Sequence, residues 1–315
     1  MSGHIYSLKD INLTTPSIVT IGVFDGVHLG HQRLVRQLVQ EARESNRTSV
    51  VLTFFPHPDV VLRGVTGRYY LTSPEVRARL LLDMGVDLVI THAFNREISQ
   101  IRAADFVEQL CAHLKMAVLW VGPDFALGYR REGNVPFLRA QGAVRGFTVE
   151  TVELRLTTGG SVISSSSIRE ALAAGHVEQA AAWLGRPYRI AGEVVVGDRR
   201  GRTIGFPTAN LRVWEEQLLP ANGVYAGWAY WRGERLMAVA NLGIQPTFDG
   251  AQMKVEAHLL DFDRDIYGET LELAFVRRLR AEQRFNSVAD LVEQIQHDVV
   301  SGRAILEPLM AQEQR

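Results

Sequence analysis

Short apolar runs rich in β-branched residues alternate with amphipathic runs over residues 18–172. The run at residues 17–24 is typical of a strand, and the apolar positions Leu34, Leu38 and Ala42 after it are spaced for one face of a helix. The alternation continues with strand-like runs at residues 48–55, 86–90 and 117–121 and helical runs at residues 74–84 and 103–115. Repeated β-α units predict a parallel sheet with helices on both faces.

Open parallel sheets bind ligands in the loops beyond the carboxyl ends of their strands. In this chain those loops are expected at residues 24–31, 54–58 and 122–128. These three loops are therefore the expected ligand-binding region of the first half of the chain.

The pattern changes after residues 185–187, where closely spaced strand-like segments replace the β-α alternation. These segments cover residues 189–196, 223–231, 236–241, 254–260 and 270–276. They predict a compact antiparallel β-barrel. A last amphipathic segment at residues 287–309 predicts a helix that covers one side of the barrel, with Ser287 and Asp290 suited to its capped start.

The size of the chain supports two domains. It has 315 residues, of which 46% are hydrophobic, which is enough apolar material for two ordinary cores. We place the boundary between residues 182 and 183. The formal net charge is −1, so basic residues are not in excess and no nucleic-acid partner is expected.

The cysteine content and the hydropathy predict where in the cell the protein is located. Cys111 is the single cysteine, which excludes an internal disulfide and favours a reducing cytoplasm. The apolar stretches are too short or too interrupted for a membrane span, and residues 1–4 lack the pattern of a signal peptide. We expect a soluble cytoplasmic protein with no membrane partner, whereas the oligomeric state stays open.

The first candidate site joins the first predicted strand to the first predicted helix. Its residues are Gly22, Phe24, Asp25, His28, Gly30 and His31. The N-terminus of a helix favours anions, and two imidazoles there can donate hydrogen bonds to charge that develops on a phosphate. Nucleotidyl transfer to a phosphate acceptor needs no protein nucleophile, so positioning and electrostatics are sufficient. For the two histidines alone, metal binding or ordinary loop packing are competing interpretations.

A serine run near the end of the first half is a second candidate. Ser164, Ser165 and Ser166, with Arg169 at the start of a short helix, could clamp the β- and γ-phosphates of ATP. Taken alone, the run is better explained as a capping box formed by Ser167 and Glu170.

The barrel half holds a glycine-rich turn with arginine and small polar residues. Its candidates are Gly201, Arg202, Gly205, Pro207, Thr208 and Asn210. Glycines let backbone N–H groups approach phosphates, and the oxygens of Thr208 and Asn210 are suited to Mg²⁺. A plain hairpin at the barrel rim is an equally good interpretation of this segment alone, and the chain contains no GxxxxGK[ST] sequence.

A carboxylate is available further along the barrel. Strand alternation puts Glu256 and His258 on one face, opposite Val255 and Ala257. A carboxylate that faces a ligand can accept the proton of an attacking alcohol, as the phosphorylation of a hydroxyl requires. The alternative is the exposed polar face of an edge strand.

Taken in order, these segments resemble a known family. GVFDGVHLGH at residues 22–31 is similar to the HxGH signature of nucleotidylyltransferases, and SSSSIR at residues 164–169 is similar to its ISSTxxR counterpart, with Ser166 in place of threonine. TFFPHP at residues 53–58 and VGPDFALG at residues 121–128 extend the resemblance to the FMN adenylyltransferase module of bacterial bifunctional riboflavin kinase/FAD synthetases. GRTIGFPTAN at residues 201–210 and VEAHLLD at residues 255–261 resemble the riboflavin kinase family.

The resemblance implies a Rossmann-like nucleotidyltransferase domain joined to a six-stranded barrel kinase. The kinase would convert riboflavin and ATP to FMN, and the other domain would convert FMN and ATP to FAD and pyrophosphate, both with Mg²⁺. Asp124 would join His28, His31 and Arg169 in the nucleotide site, although Ala126 and Leu127 replace a more polar or aromatic pair. In the kinase, Thr208 and Asn210 would bind Mg²⁺ and ATP phosphates, and Glu256 would activate the ribityl 5′-hydroxyl.

Two other functions stay open. One is a nucleotidyltransferase with a different acceptor, such as phosphopantetheine or phosphocholine, against which the complete kinase-like half argues. The other is a flavin-binding regulatory or storage protein that keeps the folds but has little turnover.

Overall fold

A computed structural model describes residues 3–152, 157–158, 161–197, 201, 204–247 and 250–313. By its internal contacts the chain divides into two compact units, Met1–Ser165 and Ser166–Arg315. The predicted domain boundary lies further along, between residues 182 and 183, and as a functional boundary it stays a prediction. None of the helices in the described ranges is long and apolar enough to cross a membrane.

The first unit is an α/β layer structure. Its strands are β1 (Gly3–Ile5), β2 (Ser17–Ile21), β3 (Thr48–Phe55), β4 (Leu88–Ala93), β5 (Met116–Val121), β6 (Ala126–Leu127), β7 (Gly133–Asn134), β8 (Thr148–Thr151), β9 (Thr157–Thr158) and β10 (Ser161–Val162). Its helices are α1 (Leu29–Glu44), α2 (Pro58–Arg63), α3 (Pro74–Asp83), α4 (Ala103–Leu114) and α5 (Val135–Arg145).

The main sheet has the strand order β1-β4-β3-β2-β5-β8 and is parallel throughout. Alternate residues of β2 enter two different cores, as Ile18 packs with α1 and α3 and Val19 packs with α4 and α5. Both faces are therefore covered, which explains why the strands read as continuous apolar runs. The predicted parallel sheet with helices on both faces is confirmed.

The strand order reverses between β2 and β5. From β2 the chain moves outward through β3 to β4, and then returns to place β5 on the other side of β2. Such a switch point opens a crevice beyond the carboxyl ends of the two strands. The loops after β2 and β5, which carry the predicted nucleotide residues, begin at this crevice.

The second unit is a closed barrel with helices. Its helices are α6 (Ser165–Ala173), which starts at the last residue of the first unit, α7 (Val177–Leu184) and α8 (Val288–Glu313). Its strands are β11 (Tyr188–Val195), β12 (Ala209–Val213), β13 (Gly223–Trp231), β14 (Glu234–Thr247), β15 (Gly250–Leu259) and β16 (Thr270–Arg280).

The barrel closes in the order β11-β12-β15-β14-β13-β16, and every neighbouring pair is antiparallel. The predicted barrel is confirmed, and β12 is a sixth strand that was not among the five predicted segments. Helix α8 packs on one side of the barrel, where Leu306 joins a buried cluster with Trp228. Its start is capped as predicted, because the Ser287 hydroxyl accepts a hydrogen bond from the Asp290 N–H (3.1 Å).

Candidate active sites

The two predicted histidines meet at the N-terminus of α1. His28 is the N-cap residue, and its Nδ1 accepts a hydrogen bond from the backbone N–H of His31 (3.4 Å). Their rings stack with 3.7 Å between centroids, and the Phe24 ring packs on His31 at 5.0 Å. Gly30 is buried in the first helical turn. Both imidazoles therefore lie beside first-turn N–H groups, where an anion is favoured.

The loop before α1 has an unusual backbone. Phe24 and Val27 are buried and adopt left-handed φ values of 53° and 43°. Each such conformation costs about 1–3 kcal/mol in a residue with a side chain. A Cβ atom at Gly22 would lie 3.0 Å from the Phe24 ring, so this position favours glycine. The loop therefore needs external contacts to hold its shape.

The electrostatic setting keeps His31 neutral. Burial lowers the pKa of the His31 imidazole well below its usual range, and the nearby charges of His28 and Arg77 lower it further. Its Nδ1 is buried and has no hydrogen-bond partner in the described part of the chain. A buried nitrogen without a protein partner is suited to a ligand.

The carboxylate of Asp25 points into the protein. Its oxygens accept hydrogen bonds from the N–H groups of Leu71 and Thr72 (3.1 Å each) and from the Thr72 hydroxyl (3.2 Å). The side chain is 1% exposed and lies 3.6 Å from the Arg77 guanidinium. Asp25 thus contributes to the candidate site by fixing its loop.

The serine run enters α6. The Ser165 hydroxyl donates a hydrogen bond to the backbone oxygen of Asp25 (2.8 Å), which fixes the start of α6 at the histidine loop. Ser167 is the third residue of α6, whereas an N-cap residue precedes the helix. The alternative of a capping box formed by Ser167 and Glu170 is therefore wrong.

The other predicted residues of this site differ in exposure. Ser164 and Arg169 are half-buried, and Ser166 is exposed. Asp124 is exposed in the loop after β5, where its backbone oxygen accepts a hydrogen bond from Arg131 (2.9 Å). Their phosphate-binding roles stay predictions.

In the barrel, three polar residues form a row across adjacent strands. Asn210 of β12 pairs directly with Glu256 of β15, and Glu256 pairs on its other side with Asn241 of β14. Residues directly opposite each other project from the same face of a sheet, with Cβ atoms about 4.5–5.5 Å apart. Register therefore brings the predicted metal ligand Asn210 beside the predicted base.

Two cavities lie on opposite faces of β15. The first, of about 460 Å³, is lined by Glu256 and His258, and we call it the Glu256 cavity. The second, of about 380 Å³, is lined by Ala257, Leu259 and Tyr267, and we call it the Tyr267 cavity. The alternation of lining residues along the strand shows that the two cavities occupy its two faces.

The predicted glycine-rich segment borders both cavities. Thr208 lines the Glu256 cavity and the Tyr267 cavity, Gly201 lines the first, and Pro207 lines the second. Gly205 is exposed at a φ of 89°, in the left-handed region that favours glycine. Arg202 lies outside the described residues.

Polar contacts hold the wall of the Glu256 cavity. Lys254 Nζ lies 3.0 Å from Glu256 Oε1, on the same face of β15. His258 Nδ1 lies 2.8 Å from the backbone oxygen of Pro207, which ties the glycine-rich segment to the strand. The predicted common face of Glu256 and His258 is confirmed, and both side chains are half-buried at a cavity rather than on an open edge.

Sequence reasoning missed two residues at these sites. Asn241 completes the polar row, and only the register of β14 against β15 reveals it. Arg77 is completely buried behind the histidine loop. Its signal was present in the sequence, because Arg77 occupies one position of the stripe that α3 buries with Pro74, Ala78 and Leu81.

Two families match the chain. The FAD synthetase family matches residues 10–167, and the riboflavin kinase family matches residues 184–306. The first match covers the histidine loop and the parallel sheet except for β1. The second covers the barrel, both cavities and most of α8.

Relatives with both functions in one chain align over nearly the full length. A bifunctional riboflavin kinase/FMN adenylyltransferase of Haemophilus influenzae is 41% identical over 91% of this chain and 93% of its own. The protein of that name in Listeria monocytogenes is 38% identical over 95% of this chain and 94% of its own. A crystal structure described as a macrolide-efflux protein from Streptococcus pneumoniae is 32% identical, with a TM-score of 0.87, and covers 96% of this chain and 98% of that chain. The chain belongs to the bifunctional riboflavin kinase/FMN adenylyltransferase family.

Proposed function

We propose that this chain is a transferase of flavin cofactor biosynthesis that converts riboflavin to FMN and FMN to FAD, with ATP as co-substrate of both steps. The observation that carries the proposal is that each unit has its own polar constellation, the stacked pair of His28 and His31 in one and the opposed pair of Asn210 and Glu256 in the other. The single cysteine supports a cytoplasmic location.

In the kinase unit, the two cavities can hold the two substrates. The Glu256 cavity is the larger and has the aromatic side chains of Phe206 and Phe285 in its lining, which suits the tricyclic ring of riboflavin. The Tyr267 cavity would then hold the nucleotide. Thr208 borders both, so the terminal phosphate and the ribityl hydroxyl would meet beside it.

Glu256 is the proposed general base of the phosphorylation. It accepts the proton of the ribityl 5′-hydroxyl as the hydroxyl oxygen bonds to the γ-phosphorus of ATP, and ADP leaves. Lys254 Nζ lies 3.0 Å from Glu256 Oε1, and this ion pair limits the rotation of the carboxylate.

Mg²⁺ fits the oxygen groups of Thr208, which borders both cavities, and of Asn210, two residues further along the chain. Asn210 Oδ1 is buried and has no hydrogen-bond partner among the residues that the structure describes. Together with the Thr208 hydroxyl it offers the oxygen ligands that Mg²⁺ prefers. When bound, Mg²⁺ neutralises charge on the nucleotide phosphates.

Adenylyl transfer in the first unit requires no protein nucleophile. A phosphate oxygen of FMN attacks the α-phosphorus of ATP, and pyrophosphate leaves. His28 and His31 donate hydrogen bonds to the charge that develops, beside the N–H groups of α1. The sequence pattern is the basis for adding Ser164, Ser165, Ser166, Arg169 and Asp124 as nucleotide ligands.

One incubation separates this proposal from the alternatives. The full chain is mixed with riboflavin, ATP and Mg²⁺, and the flavins are separated by chromatography, with FMN as the starting flavin in a second reaction and ATP omitted in a third. We expect FMN and FAD in the first reaction, FAD in the second and no new flavin in the third. Bound but unchanged riboflavin would favour a binding protein. FMN without FAD would favour an adenylyltransferase unit with another acceptor.

A further inference from the structure

Helix α3 carries a completely buried arginine, Arg77. Burial of a guanidinium is costly unless ion pairs and hydrogen bonds compensate for the lost water. One of its two terminal nitrogens contacts the end of strand β3. Nη1 donates hydrogen bonds to the Thr53 hydroxyl and to the backbone oxygen of Phe54 (3.2 Å each), both at the carboxyl end of β3.

The other guanidinium nitrogen reaches the histidine loop and its neighbour. Nη2 of Arg77 donates a hydrogen bond to the backbone oxygen of Thr72 (3.4 Å) and lies 3.6 Å from Asp25 Oδ1. Asp25 is bound in turn by the N–H groups of Leu71 and Thr72. The two opposite charges are thus buried together, and each is held by backbone groups.

Two further hydrogen bonds complete the link to the loop. The Thr53 hydroxyl that accepts from Arg77 donates to the backbone oxygen of Val23 (2.7 Å). The Gly26 N–H donates to the Thr72 hydroxyl (3.2 Å). The loop before α1 is therefore fastened through Val23, Asp25 and Gly26, around and between its two left-handed residues.

We propose that Arg77 is a positioning residue for adenylyl transfer, which acts with Asp25 to hold the loop at residues 22–28 so that His28 and His31 face the reacting phosphates. The inference rests on the proposed function of this unit. It gives Asp25 a positioning role in place of the phosphate contact that the sequence suggested. The charge of Arg77 also contributes to the lowered pKa of His31, after burial and the charge of His28.

Positioning and direct binding predict different kinetics. A residue that orients the histidines affects the transition state, so its loss lowers kcat and leaves KM for ATP and FMN nearly unchanged. A residue that contacts ATP would raise KM for ATP. A displacement of catalytic groups by about 1 Å can lower the rate by about 10²-fold, which sets the expected size for Arg77→Met.

The test uses the full chain and both of its reactions. We compare Arg77→Met, Arg77→Lys and the control Arg79→Met, which removes an exposed arginine from the same helix. Arg77→Met should lower kcat for FAD formation from FMN by about 10²-fold and leave FMN formation from riboflavin unchanged. Arg77→Lys should recover part of kcat, because lysine keeps the charge but cannot reach all the acceptors. Arg79→Met should match the parent chain in both reactions.

A double variant covers the case in which Arg77→Met does not fold. Asp25→Asn combined with Arg77→Met leaves no unpaired buried charge, so the unit is expected to fold, as checked by hydrogen exchange. A folded double variant with the parent kcat for FAD formation would overturn the inference and leave the proposed function intact. So would a raised KM for ATP with unchanged kcat in Arg77→Met. A parent chain that makes no FAD from FMN would instead overturn the proposed function and this inference together.

Discussion

Asn210 and Glu256 lie directly opposite each other in the ladder between β12 and β15. This pairing places the side-chain oxygen of Asn210, which has no hydrogen-bond partner in the described ranges, beside the carboxylate proposed as the general base. Metal binding and proton removal would then occur at neighbouring positions of one sheet face. The roles proposed for the two side chains differ, so the loss of each should have a different consequence.

Replacement of Asn210 by alanine should weaken the apparent affinity for Mg²⁺-ATP and also lower the rate of riboflavin phosphorylation. The reason is the loss of an oxygen ligand, which acts both in binding and in the transition state. Glu256→Gln keeps the shape but removes the base, so it should lower kcat by about 10²–10⁴-fold with little change in KM.

Steady-state kinase assays at several Mg²⁺ concentrations measure both variants, with adenylylation of supplied FMN as the internal control. Glu193→Gln is a matched control, because it removes an exposed carboxylate of the same barrel. Unaltered turnover of Glu256→Gln would remove that residue from the mechanism.

Strand bounds were predicted best where the strand is a single apolar run that turn residues end. β3 (Thr48–Phe55) and β13 (Gly223–Trp231) have the predicted bounds, since each is one apolar run ended by turn residues. β12 was not predicted, although Ala209, Leu211 and Val213 alternate with two polar residues, because the run has only five residues and follows directly on the glycine-rich turn. Its pairing with both β11 and β15 closes the barrel at this position.

The sequence indicated which residues belong to the candidate sites, but not how these residues are arranged in space. His28, Thr208 and Glu256 stand out by chemistry, but the row from Asn210 to Asn241 depends on the register of strands distant in sequence. The burial of Arg77 likewise depends on partners in three separate segments, at Asp25, at residues 53–54 and at Thr72.

Removal of either stacked histidine should abolish FAD formation and leave FMN formation intact. His28→Ala deletes the N-cap acceptor as well as the proposed donor to the α-phosphate, and His31→Ala deletes the stacked partner. One hydrogen-bond donor to developing charge is typically worth about 10²–10³ in rate. The measurement is FAD yield from supplied FMN, beside FMN yield from riboflavin in the same preparation. Parallel loss of both activities in a folded variant would contradict the assignment of two independent sites.

The first unit should lose stability as the pH falls below 6.5. Burial lowers the pKa values of His4, His31 and His92 from their ordinary value of 6.5. Below that value the unfolded chain binds protons that the folded unit does not, so folding becomes less favourable as the pH decreases toward the lowered values. Well above pH 6.5 these histidines are neutral in both the folded and the unfolded chain, so they no longer lower the free energy of unfolding.

Hydrogen exchange of the full chain at about pH 7.5 and about pH 5.5, corrected for intrinsic exchange rates, measures the free energy of unfolding of this unit. In the parent chain His92 Nδ1 accepts a hydrogen bond from the Leu8 N–H (3.3 Å). His92→Gln keeps an acceptor for this N–H and removes one titrating group, so it should reduce the pH dependence of the free energy of unfolding. Equal protection at both pH values would contradict the prediction.

The barrel unit should need α7 for full stability. This helix buries Val177 and Ala180 and packs on β11 and β16. The preceding helix α6 also contacts the unit, because the backbone oxygen of Leu172 accepts a hydrogen bond from the Ala221 N–H (2.9 Å). A fragment of residues 166–315 keeps these contacts, whereas a fragment of residues 183–315, cut at the predicted boundary, exposes the barrel surface beneath them. Each large apolar side chain that is removed from a buried position costs about 1.5–3 kcal/mol.

Both fragments retain Thr208, Asn210 and Glu256, so both should phosphorylate riboflavin under conditions in which they are folded. The shorter fragment should unfold at a lower urea concentration, with a lower free energy of unfolding, because it lacks Leu172 and Val177. Urea titrations followed by circular dichroism, with kinase assays at each concentration, compare the two. Equal midpoints would mean that the apolar contacts of α6 and α7 contribute nothing to the barrel, and the boundary between residues 182 and 183 would then describe the folding unit as well as the proposed kinase.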